Sequence, residues 1–566
     1  MIKRVKVSHF KQFNEEIFDL NDHIILAGPN NSGKTTLLQA IAVWNMALQK
    51  WLTKRTTSKA KQRTGVTITR KDFTAIPLRK MHLLWTNGLT ALKKDELKEG
   101  QKLGTPRVIK ITLGGETGNE PWELALEFRY NTEEVIFVKP SPEHRDNILR
   151  ATQEFQIVHV PPFSGIGAEE TQYKREYQDL LIGQGKPGDI VRNLLVEVYE
   201  KKGEPSWDQL CEQIEHLFGF RLLPPEYEGR PFILCEYLPG IPKGRGMNGL
   251  PRLDIASAGS GFHQILMLLA FFYARPASVL LMDEPDAHLH VILQEQIYRR
   301  LQDIASKRHC QLIIATHSEV LIDATSPDRI LSFYNSPHLL MHDVERDQVR
   351  EALKRLTAMD ILLAEDAKGV LYVESETDYN LLRAWAKVLE HPLLKWFDDS
   401  PLWRDNRGRN PKEARAHFFA LRAIKPEIKG YLLLDGDNRS LPERELSGEG
   451  LVIGRWIRYE SENYLLHPDA LIRYISPELP LLSEVARKYL QDELPGAVLR
   501  EPLGDHDYLN RTPASKTILP GFFKAVGIHL PKNEYYRVAE KMTKEEVVSE
   551  VNDKLNDIAR LMGIIT

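Results

Sequence analysis

The sequence predicts an α/β fold in two successive units, and three observations carry that prediction. An apolar run at residues 24–27 passes through a glycine-rich loop into a helix with Leu37, Leu38, Ala40 and Ile41 on one face. A second apolar run, residues 279–282, ends in the acidic pair Asp283 and Glu284. Further on, the runs 370–373 and 431–434 also end in acids, Glu374 after one and Asp435 with Asp437 after the other. Short apolar runs that alternate with helical periodicity and end in polar residues are the pattern of parallel sheets with ligands at their strand ends.

Composition sets the outer limits. At 566 residues the chain has room for three or four domains, and an apolar fraction of 42% supports ordinary buried cores. A net charge of -3 excludes a general attraction to nucleic acid or acidic membrane, so any polyanion site must be local. Cys211, Cys235 and Cys310 lie too far apart in sequence for a metal motif or a convincing disulfide framework, which suits a reducing cytoplasm. The N-terminal residues lack the apolar core of a signal peptide, and no run reaches the ~20 apolar residues that span a bilayer. The expectation is a cytoplasmic protein with no membrane segment.

The first loop fits G-x-x-x-x-G-K-[ST] across Gly28, Pro29, Asn30, Asn31, Ser32, Gly33, Lys34, Thr35 and Thr36. Glycines let backbone N–H groups face phosphate oxygens, a lysine reaches the β and γ phosphates, and Thr35 is placed to ligate Mg²⁺. The pattern predicts an ATP site. Asp283 is the matching Mg²⁺ carboxylate, and Glu284 the residue that polarises the attacking water. One strand later "QLIIATHSEVL" ends at Thr316 and His317, and that position favours His317 as a γ-phosphate sensor over a structural histidine.

Ahead of the acidic strand, "DIASAGSGFHQILMLLAFFY" is a Ser/Gly loop that opens a strongly apolar helix. With the P-loop and the acidic pair it resembles the ABC-type ATPases, whose signature loop reaches the γ-phosphate held by a second subunit. Ser257, Gly259, Ser260 and Gly261 match that loop loosely, because the usual L-S-G-G-Q is absent, and either serine is open to the role. The start "IKRVKVSHFKQFNEEIFDL" resembles the N-terminal strands of the DNA-repair branch of the same superfamily. Structural-maintenance-of-chromosomes proteins fill the interval from P-loop to signature with a long coiled coil; here it has no sustained heptads, which predicts a compact ATPase.

The carboxylates of the second half either decorate a solvated turn or hold a metal ion. Glu374 with Asp378 four residues on, then Asp435-x-Asp437 at the next strand end, resembles a Toprim domain, in which those strand ends meet. Acids so crowded repel unless cations neutralise them, and Mg²⁺ or Mn²⁺ prefers such oxygen ligands. An ABC-type ATPase followed by a Toprim domain with an "ENYL" element resembles the overcoming-lysogenization-defect (OLD) nuclease family, relatives of the Gabija nuclease subunit. The resemblance implies metal positions at Glu374, Asp378, Asp435, Asp437 and Glu462, a catalytic role for Glu374, and a later lysine. Lys516 in "RTPASKTILPGFF" is the best candidate for that lysine, with a plain surface lysine an equal alternative.

Family members act in bacterial and phage defence, some with a partner protein or a retron. The resemblance therefore implies an ATP-gated, metal-dependent DNA endonuclease that works as a homodimer or higher homo-oligomer. The rival is an ATP-driven sensor or scaffold whose Toprim-like domain binds a partner or nucleic acid without cutting, and an RNA or tRNA target stays open. The basic stretches 50–73 and 403–422 are each as well explained by contact with nucleic acid as by a solvated face.

The expected layout is an ATPase domain at 1–345, a linker helix at 346–368, a Toprim domain of Rossmann-like α/β type at 369–535 and a helical C-terminal tail at 536–566. In the tail, Thr543 and Glu546 read as a capping box ahead of an apolar face of Val547, Val551, Leu555, Ile558 and Leu561, packed on the Toprim unit or on a partner.

Overall fold

A computed structural model describes the chain except for residues 57–64, 98–101, 103, 118–119, 144–155, 202–205, 241–249, 400, 407–410, 438–446, 449, 476–481 and 566. The chain divides into two compact units, Met1–Leu353 and Lys354–Thr566. No helix among the described residues is long and apolar enough to cross a membrane.

The first unit holds two six-stranded sheets. One is antiparallel, in the order Phe13–Asp19, Ile2–Phe10, Ile109–Thr117, Glu120–Thr132, Val135–Pro140, Val66–Thr69. The other runs His338–Leu339, Ile330–Ser332, His23–Ala27, Gln311–Thr316, Val279–Asp283, Ile157–Val160, parallel throughout except for the edge strand His338–Leu339. The 23-residue helix Lys34–Thr56 lies in the core that both sheets share, with Leu37, Ile41 and Trp44 among Ile111 and Leu124 of one and Leu281 and Ile313 of the other. Burial on several sides explains why this helix is apolar nearly all round near its start. Between the loop and the Ser/Gly stretch, the described residues form strands and the short helices Arg175–Gly183, Val191–Glu200 and Ser206–Phe218.

The second unit is built on a five-stranded sheet ordered Trp403–Asp405, Val370–Val373, Gly430–Leu434, Leu451–Arg455, Ser447–Gly448, with only the last strand antiparallel. Every residue of Val370–Val373 and of Gly430–Leu434 is buried, as strands covered on both faces require. The expected linker helix is two helices, Asp343–Arg355 and Ala358–Asp366. The chain breaks between them because Thr357 and Asp360 form a capping box that starts a new helix.

The tail shows a similar difference. The capping box at Thr543 and Glu546 is present, but it closes a single turn, Lys544–Glu546, and the helix begins at Ser549. Arg473 takes the Glu546 carboxylate at 2.6 and 2.7 Å, which turns that residue to a tertiary contact. Val551, Leu555 and Ile558 then join Leu371, Trp385 and Tyr431 in one core, so the tail helix packs on its own unit.

Candidate functional site

In the first unit the parallel ladder brings the strand ends together. Ala27 stands beside Thr316, and Asp283 beside Ala315, so loop, acidic pair and histidine all emerge at one edge. Lys34 donates from Nζ to the carbonyls of Gly28 and Pro29, at 2.8 Å each, and the loop wraps its ammonium. Burial lowers Lys34 to about 8 against the pull of Glu284, Asp283 and Asp286. Gly33 has φ +112°, and a Cβ there would come within 2.6 Å of Gln12 Nε2 and 2.8 Å of the Phe13 ring, so only glycine fits.

Thr35 Oγ1 donates to Asp283 Oδ1 at 3.1 Å, which joins the hydroxyl and the carboxylate expected to share Mg²⁺. Burial raises Asp283 to about 6, with Glu284 adding to it. Glu284 adopts φ 51° while its backbone N–H bonds Ala315 O at 2.9 Å, and its carboxylate stands 3.4 Å from His317 Nε2. Burial, then Lys34, lowers His317 below an ordinary imidazole, which favours a neutral ring. Such a strained backbone at a strand end marks sites where a side chain is aimed.

Two residues of this site escape the sequence reading. Asp286 accepts from Thr316 Oγ1 at 2.5 Å and is itself raised by burial. Gln12, in the turn that joins Ile2–Phe10 to Phe13–Asp19, donates to Asn31 O and accepts from Thr36 Oγ1, both at 3.4 Å. Asp286 lies in the acidic motif and was within reach; nothing local marks Gln12.

The Ser/Gly stretch begins the helix Ser260–Ala274, whose residues from Phe262 onward are all buried. Ser257, Gly259 and Ser260 are exposed, Gly261 is half-buried, and a Cβ on Gly259 would meet nothing within 4 Å. The turn is held from behind: Asp254 Oδ1 accepts from Ala256 N and from the fully buried Arg192, both at 2.8 Å, and Ser257 Oγ donates to Asp254 O at 2.7 Å.

In the second unit Glu374 follows the strand Val370–Val373 and accepts from Asp435 N at 3.1 Å, linking two neighbouring strand ends. Asp378, in the first turn of the helix Glu376–Val388, accepts from Ser375 N at 2.9 Å and Ser375 Oγ at 2.8 Å, and from Ser461 Oγ. Asp378, Asp435, Asp437, Glu460 and Glu462 are all buried. Asp435 is pushed far above the usual carboxylate range by burial, then by Asp378, Glu374, Glu462 and Glu460. Glu462 is raised by burial and Asp378. The carboxylates therefore feel one another, although among the described residues no three His, Cys, Asp or Glu side chains are gathered closely enough to hold one ion as they stand. Mutual repulsion of uncompensated acids works in that direction.

Among the described residues, the cation at this cluster is Lys532. Its Nζ lies 2.7 Å from Glu462 Oε1 and donates to Ser515 Oγ at 3.3 Å, while Ser515 N donates to Glu460 Oε1 at 2.6 Å. Burial works against its charge, but Glu462, Glu460 and Asp378 leave it above an ordinary lysine. Lys516, one residue past Ser515, is exposed.

Of the basic stretches, residues 57–64 and 407–410 lie outside the described residues. In the described part of the first, Lys50 pairs with Asp72, Lys54 donates to Thr67 O and Arg70 pairs with Glu134, so these cations serve the fold.

Two family models match segments of the first unit. Residues 4–77 match a family model described as an AAA domain, and residues 243–323 one described as an AAA domain, putative AbiEii toxin, Type IV TA system. The OLD nuclease of Thermus scotoductus is 22% identical over 358 residues, covering 57% of this chain and 60% of that protein. The chain thus spans less than two thirds of the length of this curated relative. The SMC head domain from Thermotoga maritima is 14% identical, with 58% of this chain and 94% of that one covered at a TM-score of 0.30. The Smc head domain with an extended coiled coil from Pyrococcus furiosus, bound to the C-terminal domain of ScpA, is 13% identical, with 58% and 92% covered at 0.31.

Proposed function

Because the chain is a relative of the OLD nucleases with an AAA-type ATPase unit, we propose that it is an ATP-dependent, metal-dependent DNA endonuclease of bacterial anti-phage defence. The observation that carries this reading is the cluster of the half-buried Glu374 with the buried Asp378, Asp435 and Glu462, of which Asp435 and Glu462 are raised by burial and by the neighbouring acids, with Lys532 at its edge. So many interior acids, with one cation among the described residues, are a poor way to stabilise a fold and a good way to hold hard divalent cations. Glu374, Asp378, Asp435, Asp437 and Glu462 would hold Mg²⁺ or Mn²⁺, which when bound supplies Lewis-acid stabilisation of a phosphodiester undergoing in-line attack. Glu374 and Asp435 are tied backbone to side chain, so their strand ends move as one. Ser375 and Ser461 orient Asp378, and Lys532 stabilises negative charge beside Glu462.

In the first unit, Lys34 and the loop amides bind the triphosphate, Thr35 and Asp283 hold its Mg²⁺, Glu284 orients the water, and His317 senses the γ-phosphate through Glu284. The exposed Ser257, Gly259 and Ser260 at the start of a buried helix suit a partner copy's nucleotide, which makes the active form at least a homodimer. ATP binding then gates cutting in the second unit.

The test is cleavage of supercoiled plasmid with Mg²⁺ or Mn²⁺, with and without ATP, for the wild-type protein and Asp435→Asn. Nicking or linearisation by the wild type, its loss in the variant, and retained ATP hydrolysis are expected. Equal cleavage by both would remove the nuclease assignment from this site, and Mn²⁺-stimulated binding without cutting in either would favour the scaffold reading.

A further inference from the structure

Asn406 follows the edge strand Trp403–Asp405, which runs parallel to Val370–Val373 with Val373 beside Asp405. Its backbone N–H donates to Val373 O at 2.7 Å, so the ladder continues one step beyond that pair. Residues in register on parallel strands project to the same face. Asn406 and Glu374, each next after the Val373/Asp405 pair, therefore leave the sheet on the same side, at the carboxyl edge where open α/β sheets take their ligands.

Asn406 is 2% exposed, yet among the described residues neither its Oδ1 nor its Nδ2 has a hydrogen-bond partner. A buried amide normally finds partners for its acceptor and donors, so one with none calls for an explanation. A structural asparagine would have been satisfied by the chain, or replaced at no loss by an apolar residue of its size. Here an unpaired donor and an unpaired acceptor sit at the end of the strand next to the one that carries Glu374.

We propose that Asn406 is a positioning residue of the acidic site: its Nδ2 steadies the Glu374 carboxylate, and its Oδ1 accepts a hydrogen bond from water on the divalent cation. The role rests on the phosphodiesterase reading given above. No charge is added to a site already crowded with carboxylates, which is why an amide suits the position better than an acid.

Three measurements on Asn406→Leu and Asn406→Asp decide it: melting temperature without metal, Mn²⁺ affinity by calorimetry without nucleotide, and plasmid cleavage against Mn²⁺ concentration. The leucine variant should melt at or above the wild-type temperature without metal, bind Mn²⁺ at least ten-fold more weakly and cleave at least ten-fold more slowly. The aspartate variant, which keeps an acceptor, should recover part of the Mn²⁺ affinity. Wild-type Mn²⁺ affinity and cleavage in the leucine variant would overturn the role, as would a lowered metal-free melting temperature in both variants, the mark of a structural amide. A wild-type protein that neither binds Mn²⁺ nor cuts would instead bring down the phosphodiesterase reading, and this role with it.

Discussion

Lys532 Nζ lies 2.7 Å from Oε1 of Glu462, a carboxylate only 2% exposed, and this contact gives the buried acids their one described lysine partner. Removing it should leave Glu462 facing Asp378 and Glu460 with no described cation to offset them. Lys532→Ala is therefore expected to lower the metal-free melting temperature, recover part of that loss with Mn²⁺, and cut plasmid at least ten-fold more slowly. Lys516→Ala, on an exposed residue of the neighbouring turn, should change melting little and cleavage less than Lys532→Ala. Equal losses in the two variants would return Lys516 to the site.

The two halves of the ATP site should separate kinetically. Glu284→Gln keeps the shape of the site but removes the group that orients water, so ATP turnover should drop by orders of magnitude with nucleotide binding retained. Lys34→Ala removes the ammonium that the loop encloses and should weaken binding itself. With ATP, light scattering of the Glu284→Gln protein should give twice the 65.0 kDa chain mass or more. A monomer under those conditions would count against a signature role for Ser257 and Ser260.

Between Asp435 and Asp437, Gly436 allows a backbone approach that no side chain permits. A Cβ there would lie 2.5 Å from Trp456 O and closer still to Arg458 O. Gly436→Ala must push the aspartate strand end away from the segment that leads to Glu460 and Glu462, at a cost typical of overpacking, about 1–3 kcal/mol. Thermal unfolding should show the loss in the second unit, together with lost cleavage; an unchanged melting temperature would mean the loop yields without strain.

His159 gives the first unit an acid sensitivity. Burial lowers it to about 4, its Nε2 is enclosed with no partner among the described residues, and the unfolded chain takes up the same proton near the ordinary imidazole value of 6.5. Stability from this group is complete above that value and is lost as pH falls from 6.5 toward 4, because the unfolded state then binds more protons. The loss should reach up to about 3 kcal/mol. His159→Phe should flatten the stability profile over this window in denaturant titrations, and an unchanged slope would place the sensitivity elsewhere.

Much of both candidate sites was legible because their chemistry is local. A glycine-rich loop must directly precede the lysine and threonine it presents, so residues 28–36 announce themselves, and an acid that closes a buried strand is conspicuous wherever it stands. The parallel registers then bring those strand ends together, as alternating strands and helices imply. Tertiary packing alone decided which distant side chains complete the sites. Gln12 reaches the phosphate loop from a hairpin turn of another sheet. Lys532, rather than the motif-like Lys516, reaches Glu462 from a turn next to Tyr535, Val538 and Ala539, which sit in the same core as Trp385. Asn406 gains its place from strand pairing, and the tail helix starts only at Ser549, past the single turn its capping box closes, while Arg473 ties the carboxylate of that box to the core. Local pattern follows from bonds and hydrogen bonds between near neighbours in the chain. The partners that lie far apart in sequence meet only where burial of the shared core places them, and no spacing rule along the chain encodes that distance.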